Sequence, residues 1–256
     1  MEYVKITKDN IDKEHICCAI SNNNDPQVIS KKCWLKDRID EGLVFYKSVE
    51  RGKCFIEYIP AEYAWVPIDA SGFIHINCLW VSGSYKGHKY SNDLLDYCIN
   101  DAKEKGKKGV TAIAAVKKSP FLLEQKFLLH KGFKICDKAN PNYVLLYFPF
   151  NENEKVPIFK EQAKNLTINK NRFVLYYTNG CPFTAKYVPL IENLAKERKI
   201  EFESILIKTK EEAQNAPCAW TNYVLFYNGK YITNEILSEN KFLKLVEELG
   251  VNNVWK

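Results

Sequence analysis

No stretch of the 256 residues approaches the ~20 consecutive apolar positions that a membrane-spanning helix needs, so no membrane association is expected. None of the nine cysteines is paired in C-x-x-C spacing, and their number is odd. This argues against a zinc ribbon or a disulfide framework and for reduced thiols, most of them small core residues, with no metal expected. The N-terminus, "MEYVKITKDNIDKEH", lacks a basic-then-apolar export pattern, and a cytoplasmic protein is the expectation. The chain has 37 basic and 31 acidic residues, a net charge of +6, but its lysines are interspersed with Glu and Asp. Without a basic block a nucleic-acid partner is not expected, whereas a small polyanionic ligand stays compatible. A glycine-rich phosphate loop is missing too. The one basic turn that joins a strand to a helix, Lys86 to Ser91, carries a single glycine.

What is present suits two domains of ordinary size: 46% hydrophobic and 13% aromatic residues are enough for real cores. "YVKITKDN" predicts a short strand, with Asp9 or Asn10 capping a following helix. "DPQVISKKCWLKDRIDEG" places Pro just inside and Gly just outside a helix whose apolar side is Val28, Ile29, Cys33, Trp34 and Ile39. "LVFYKSVE" and "CFIEYIPAEYAWV" form a hairpin across the turn "RGK". "GFIHINCLWV" is a third long strand, alternating Phe73, His75 and Asn77 against Ile74, Ile76 and Cys78. After the basic turn, Leu94, Leu95, Cys98, Ile99 and Ala102 repeat at helical spacing, and "VTAIAAV" is a strand buried on both faces. "PFLLEQKFLLHKGF" predicts a second amphipathic helix, and "KICDK" with "YVLLYFPF" a last hairpin.

Composition changes at 151–170, a polar segment expected to be a linker with one helical turn around Phe159 to Ala163. It separates a domain at 1–150 from one at 171–256. The second begins with a β-α-β unit, "RFVLYYT", the turn "NGCPFT", a helix to Arg198, and "IEFESILI". A short helix over Thr209 to Asn215, a hairpin on Asn228-Gly229 and a terminal helix starting at Ser238 complete it.

A helix N-terminus presents unpaired N–H groups and a positive dipole end, and a glycine lets backbone approach a ligand closely. Lys86-Gly87-His88-Lys89-Tyr90-Ser91, preceded by Leu79-Trp80-Val81 and followed by the apolar helix, the buried strand and "FLLHKGF", resembles the GNAT N-acetyltransferases in content and order over residues 1–150. That resemblance implies a mixed, mostly antiparallel α/β sheet and acetyl-CoA as cofactor. Lys86, Gly87, His88, Lys89, Tyr90 and Ser91 would hold its pyrophosphate, and the Leu79–Val81 backbone its pantetheine arm. Lys89 stands where the family has glycine. Leu128 stands where many relatives carry a tyrosine that protonates the leaving thiolate. The resemblance further implies direct attack of an amine on the thioester, with His75 the first candidate for base and Glu57, Glu62 and Tyr63 its rivals. Glu57 and Glu62 would favour a cationic acceptor if they face the cleft.

In the second half, Cys181 opens a helix with Pro182 at its first position, where the dipole favours thiolate. The order of elements resembles a thioredoxin- or glutaredoxin-like domain, and the two halves together resemble the YoaP-like group of bacterial GNAT proteins. Thr184 replaces a second active cysteine, and Cys218 is the residue expected to approach Cys181. The leading expectation is an acetyl-CoA-dependent N-acetyltransferase acting on a small-molecule amine or amino-acid-like acceptor, as a monomer or homodimer. The alternatives are a thiol-redox or thiol-transfer protein using Cys181 and a non-catalytic CoA-binding module.

Overall fold

A computed structural model describes residues 1–16, 18, 22–117 and 119–251. In chain order its first elements are β1 (Tyr3–Lys5), α1 (Pro26–Ile39), β2 (Val44–Ser48), β3 (Cys54–Pro60), β4 (Ile68–Asp69), β5 (Phe73–Val81) and α2 (Tyr90–Glu104). β6 (Gly109–Ala115), β7 (Leu123–Glu124), α3 (Gln125–His130), β8 (Lys134–Ala139), β9 (Tyr143–Pro149) and β10 (Ile158–Phe159) follow. The remainder is β11 (Phe173–Tyr177), α4 (Pro182–Glu197), β12 (Phe202–Leu206), α5 (Lys210–Gln214), β13 (Tyr223–Tyr227), β14 (Lys230–Thr233) and α6 (Glu239–Glu248). Among the described residues no helix is long and apolar enough to cross a membrane.

The larger sheet runs β1-β2-β3-β5-β6-β9-β8, with β7 paired to β6. It is antiparallel except where β5 meets β6 and β6 meets β7. β6 is buried along its whole length, as its continuous apolar run predicts. α2 covers one face with Leu94, Leu95, Cys98 and Ala102, packed on Ile74, Ile76 and Val110. Truncating either leucine to alanine there costs about 2–5 kcal/mol, the range for a core cavity that cannot collapse fully. α1 covers the other face. A second mixed sheet, β12-β11-β13-β14, pairs β11 and β12 in parallel and the rest antiparallel, with α4 and α6 against one side.

The units share a core. Ala213, Ala216, Ala219 and Trp220 join the cluster formed by α1 and the first sheet. The Thr221 hydroxyl donates to the Trp65 carbonyl at 2.5 Å, and Gln214 donates to the carbonyls of Glu62 and Ala64, both at 3.1 Å. The polar segment between the sheets is laid along the first. β10 pairs with β4, and Phe159 and Ala163 are fully buried. The helical turn expected there covers Glu161–Ala163.

Several local expectations are corrected. Residues 8–13 form turns rather than a capped helix, with the Asn10 side chain accepting from the Thr7 N–H at 2.8 Å. On α1, Ile29 and Cys33 are exposed, while Lys31 and Lys32 are buried beside Val28, Trp34 and Leu35. β3 stops at Pro60. The long helix expected before Gly132 contracts to the six residues of α3, because Phe121 adopts a left-handed φ of 64° and Leu123–Glu124 pair with β6.

Candidate active site

β5 and β6 run parallel only from Phe73–Ile76 against Gly109–Ala112. Beyond that point β5 stays with β3 while the end of β6 takes β7, so the two central strands part. A bulge between Glu57 and Tyr58 shifts the β3–β5 register: Tyr58 faces Ile76, yet Glu57 faces Cys78. The extra residue, Asn77, reverses the phase of β5. Cys78 and Trp80 therefore join Phe73 on the α1 face, and Leu79 and Val81 join Ile74 and Ile76 on the α2 face. Strict alternation placed Cys78 on the wrong side.

β5 leads through Gly83–Tyr85, a single 3-10 turn, into the basic loop. Gly87 has φ +85°, and the space where a side chain would begin is empty to 4 Å. Lys89 is left-handed too, with φ 63° and ψ 10°, as the residue preceding α2. This is the conformation glycine adopts at least cost. No side chain caps α2, so its first-turn N–H groups face outward with the positive end of the dipole.

The gap between the strands opens into a cavity of about 640 Å³. Leu79, Trp80 and Val81 line it, as do Lys86, Gly87, Lys89, Tyr90 and Ser91. His88 is not on this wall and stacks on Tyr90 with ring centres 5.4 Å apart. Cys78 lies three residues, about 10 Å, back along β5 from Val81. There the wall is made by both units: Lys31, Glu57 and Trp65 from the first, and Gly180, Cys181 and Trp220 from the second.

At this end a buried ion pair joins the two halves. Lys31 Nζ is 2.5 Å from Glu57 Oε2 and donates to the Gly180 carbonyl at 2.6 Å, while Asn77 donates to Glu57 Oε1 at 3.1 Å. Burial works to lower the Lys31 pKa, but the Glu57 carboxylate outweighs it and holds the ammonium above its ordinary value. Lys31 was not among the residues expected here. Its spacing from Val28 and Leu35 on α1 was the available signal.

His75 also lines the cavity, but it is 1% exposed, and Nδ1 lies 3.1 Å from Thr111 Oγ1. Burial alone drives its pKa down to about 3, so the ring is neutral and a poor proton acceptor. Of the three rivals to His75, Glu57 alone is on this wall. Glu62 accepts from the Gly72 N–H at 2.6 Å, and Tyr63 is exposed under the Lys210 ammonium. Leu128 is fully buried in the core under α2 and offers no proton.

Cys181 precedes α4 and lines the cavity, but its thiol is not activated. Burial pushes it up to about 11, against the lowering effect of the Phe183 N–H and Lys31. Its thiol neighbours are Cys18 and Cys78, both also raised by burial. Cys218 does not approach it. That thiol sits in a separate core and donates to the Trp220 carbonyl at 2.9 Å. All the described cysteines are free, and among the described residues no group of three acidic, His or Cys side chains is placed to hold a metal.

Parting parallel strands, a bulged β5 and an uncapped basic helix start on one cavity define a GNAT-type acyltransferase. The chain is 46% identical over 251 residues to a Bacillus subtilis (strain 168) protein called "Uncharacterized N-acetyltransferase YoaP", covering 98% of this chain and 100% of that one. It belongs to the YoaP family of N-acetyltransferases, and residues 201–244 match the family model described as YoaP-like. Two solved structures are also similar. PaiA N-acetyltransferase from Thermoplasma acidophilum, in complex with coenzyme A, is 14% identical with a TM-score of 0.41, covering 59% of this chain and all of that one. The aminoglycoside 6'-N-acetyltransferase from Enterococcus faecium is 12% identical with a TM-score of 0.35, covering 53% of this chain and 97% of that one.

Proposed function

We propose that the protein transfers an acetyl group from acetyl-CoA to a small amine by direct attack of the amine on the thioester. The observation that carries this reading is the parting of β5 from β6 directly before an uncapped helix that starts among lysines. The open space over Gly87 and the left-handed backbone at Lys89 leave room for a diphosphate against the first-turn N–H groups of α2. Lys86 and Lys89 add charge to that cradle.

Along Leu79 to Val81, β5 has no partner on the β6 side among the described residues, which leaves its peptide groups to pair with the pantetheine arm and to polarise the carbonyl. The reaction forms a C–N bond and breaks the C–S bond, releasing CoA. The proton leaves the nitrogen after attack, when that nitrogen is cationic and acidic, and the Glu57 carboxylate is the group on the wall to accept it. His75 and Tyr63 have no part in this proton transfer. The second unit, residues 171–256, is read as a thioredoxin-like domain whose role is to complete the acceptor end of the cavity.

The test is ligand-induced stabilisation of the full chain. Acetyl-CoA at 100 times its Kd should add about 2.7 kcal/mol. Lys86→Ala should shrink the accompanying rise in melting temperature. An unchanged melting temperature with every acyl-CoA tried would defeat the reading.

A further inference from the structure

The acceptor end of the cavity is crowded with aromatic side chains, and among the described residues it carries no uncompensated charge, Arg38 being paired with Glu41 at 2.9 Å. Trp34 and Trp65 meet edge to face with ring centres 4.4 Å apart, and the Arg38 guanidinium lies over both. Phe121 and Phe183 approach across the two units at 6.0 Å, and Trp220 and Phe55 complete the wall. The carboxylate in their midst, Glu57, is already neutralised by Lys31 at 2.5 Å, with both side chains almost fully buried. Among the described residues the other titratable groups at this end are His75, Tyr223 and the thiols of Cys18, Cys78 and Cys181, and burial keeps each of them uncharged. Of the remaining charged groups on the wall, Lys86 and Lys89 belong to the cofactor loop and Glu124 is exposed to solvent.

An aliphatic amine reaches such a site as an ammonium ion. It would lose its hydration without gaining a free carboxylate, and no strong base stands ready to deprotonate it. An amine of low basicity has neither difficulty. It enters uncharged, attacks with its own lone pair, and sheds a proton only after bond formation, when a weak acceptor is enough. A flat apolar body would stack against the rings. Resting on the acetyltransferase reading above, we infer that the acceptor is an aromatic amine that binds in its neutral form between the two units.

The experiment compares p-toluidine with benzylamine, isomers of equal size of which only benzylamine is an ammonium ion at pH 7. The full-length protein is given acetyl-CoA, and both CoA release and the N-acetyl product are measured. The kcat/KM for p-toluidine should exceed that for benzylamine by at least about tenfold at pH 7, since only about one aliphatic amine in 10² to 10³ is unprotonated there. Between pH 6 and 8.5 the p-toluidine value should stay level, while any benzylamine value should rise about tenfold per pH unit, following its free base. Lys31→Met, which frees the Glu57 carboxylate, should move the preference toward benzylamine. If that variant does not fold, the wild-type comparison and its pH profile still decide.

Equal or faster turnover of benzylamine overturns the inference, as does acetylation of neither amine. A melting-temperature shift with CoA tells which statement has failed. A shift without aromatic-amine turnover overturns the acceptor class and leaves the donor site standing, whereas no shift overturns both.

Discussion

Lys31 and Glu57 form an ion pair at 2.5 Å with both side chains at least 96% buried, and the same ammonium reaches the Gly180 carbonyl of the second unit. One charged contact therefore ties α1, β3 and the turn before Cys181 into a single wall. Its stability follows from the completeness of the network rather than from the charges themselves, because taking two ions out of water costs as much as their attraction returns.

Removing one partner is therefore expected to be far worse than removing both. Lys31→Ala leaves a buried carboxylate unpaired and should cost about 3–5 kcal/mol, read as a lower midpoint in urea. Lys31→Met combined with Glu57→Leu should recover most of that loss. If the double variant were as unstable as the single one, the contact to Gly180 or the packing of the lysine stem would outweigh the ion pair.

The longer strands, α2, α4 and the hairpin on Asn228-Gly229 were legible because their signals are local, continuous apolar runs, i to i+4 stripes and turn residues, whereas the two-residue strands β4, β7 and β10 were not. Lys31 was not, since its burial depends on Glu57, 26 residues away in another element. Cys78 was misplaced because a bulge at Asn77 leaves no mark on the alternation of polar and apolar residues. "PFLLEQKFLLHKGF" satisfies a helical pattern almost anywhere along its length. The pairing of Leu123–Glu124 with β6 decided where the helix begins. The basic loop could be read from its residues. The contribution of Gly180, Cys181 and Trp220 to the same cavity could not, because it comes from the packing of one unit on the other.

Lys89 supplies a test of the loop that separates backbone from charge. A non-glycine residue at φ 63° pays about 1–2 kcal/mol in steric crowding. Part of that would be returned to the unfolded chain by glycine's greater freedom. Lys89→Gly should therefore raise stability without ligand by about 0.5–1 kcal/mol, or roughly 1–3 °C in melting temperature. The same variant should shrink the stabilisation that CoA provides, since the loop keeps its shape and loses a cation. A larger CoA effect in the variant would mean that Lys89 obstructs the ligand.

Cys181 should be slow to alkylate. With its thiol held up to about 11 by burial, its thiolate fraction at pH 7 falls about two orders of magnitude below that of a free cysteine. Iodoacetamide labelling followed by peptide mass spectrometry should give a rate at least about tenfold below free cysteine, increasing with pH through the alkaline range. Labelling as fast as the free amino acid would restore the thiol-transfer reading.

His75 is neutral in the folded protein down to about pH 3, whereas in the unfolded chain it takes up a proton near its ordinary value of about 6.5. Because the folded pKa is the lower one, its contribution to stability is complete above pH 6.5. It declines as the pH falls toward 3, at up to about 1.4 kcal/mol per pH unit. At pH 5 the loss from this residue reaches about 2 kcal/mol relative to neutral pH. Half-buried His15, lowered to about 4, adds a smaller loss with the same sign, so the wild-type slope alone does not isolate His75. His75→Gln preserves a polar partner for Thr111 and cannot be protonated. Urea titrations of both proteins at pH 7 and pH 5 should show the variant losing about 2 kcal/mol less across that interval. Equal losses would mean that His75 is charged in the folded state, which would return it to candidacy as the base and remove one support for an uncharged acceptor.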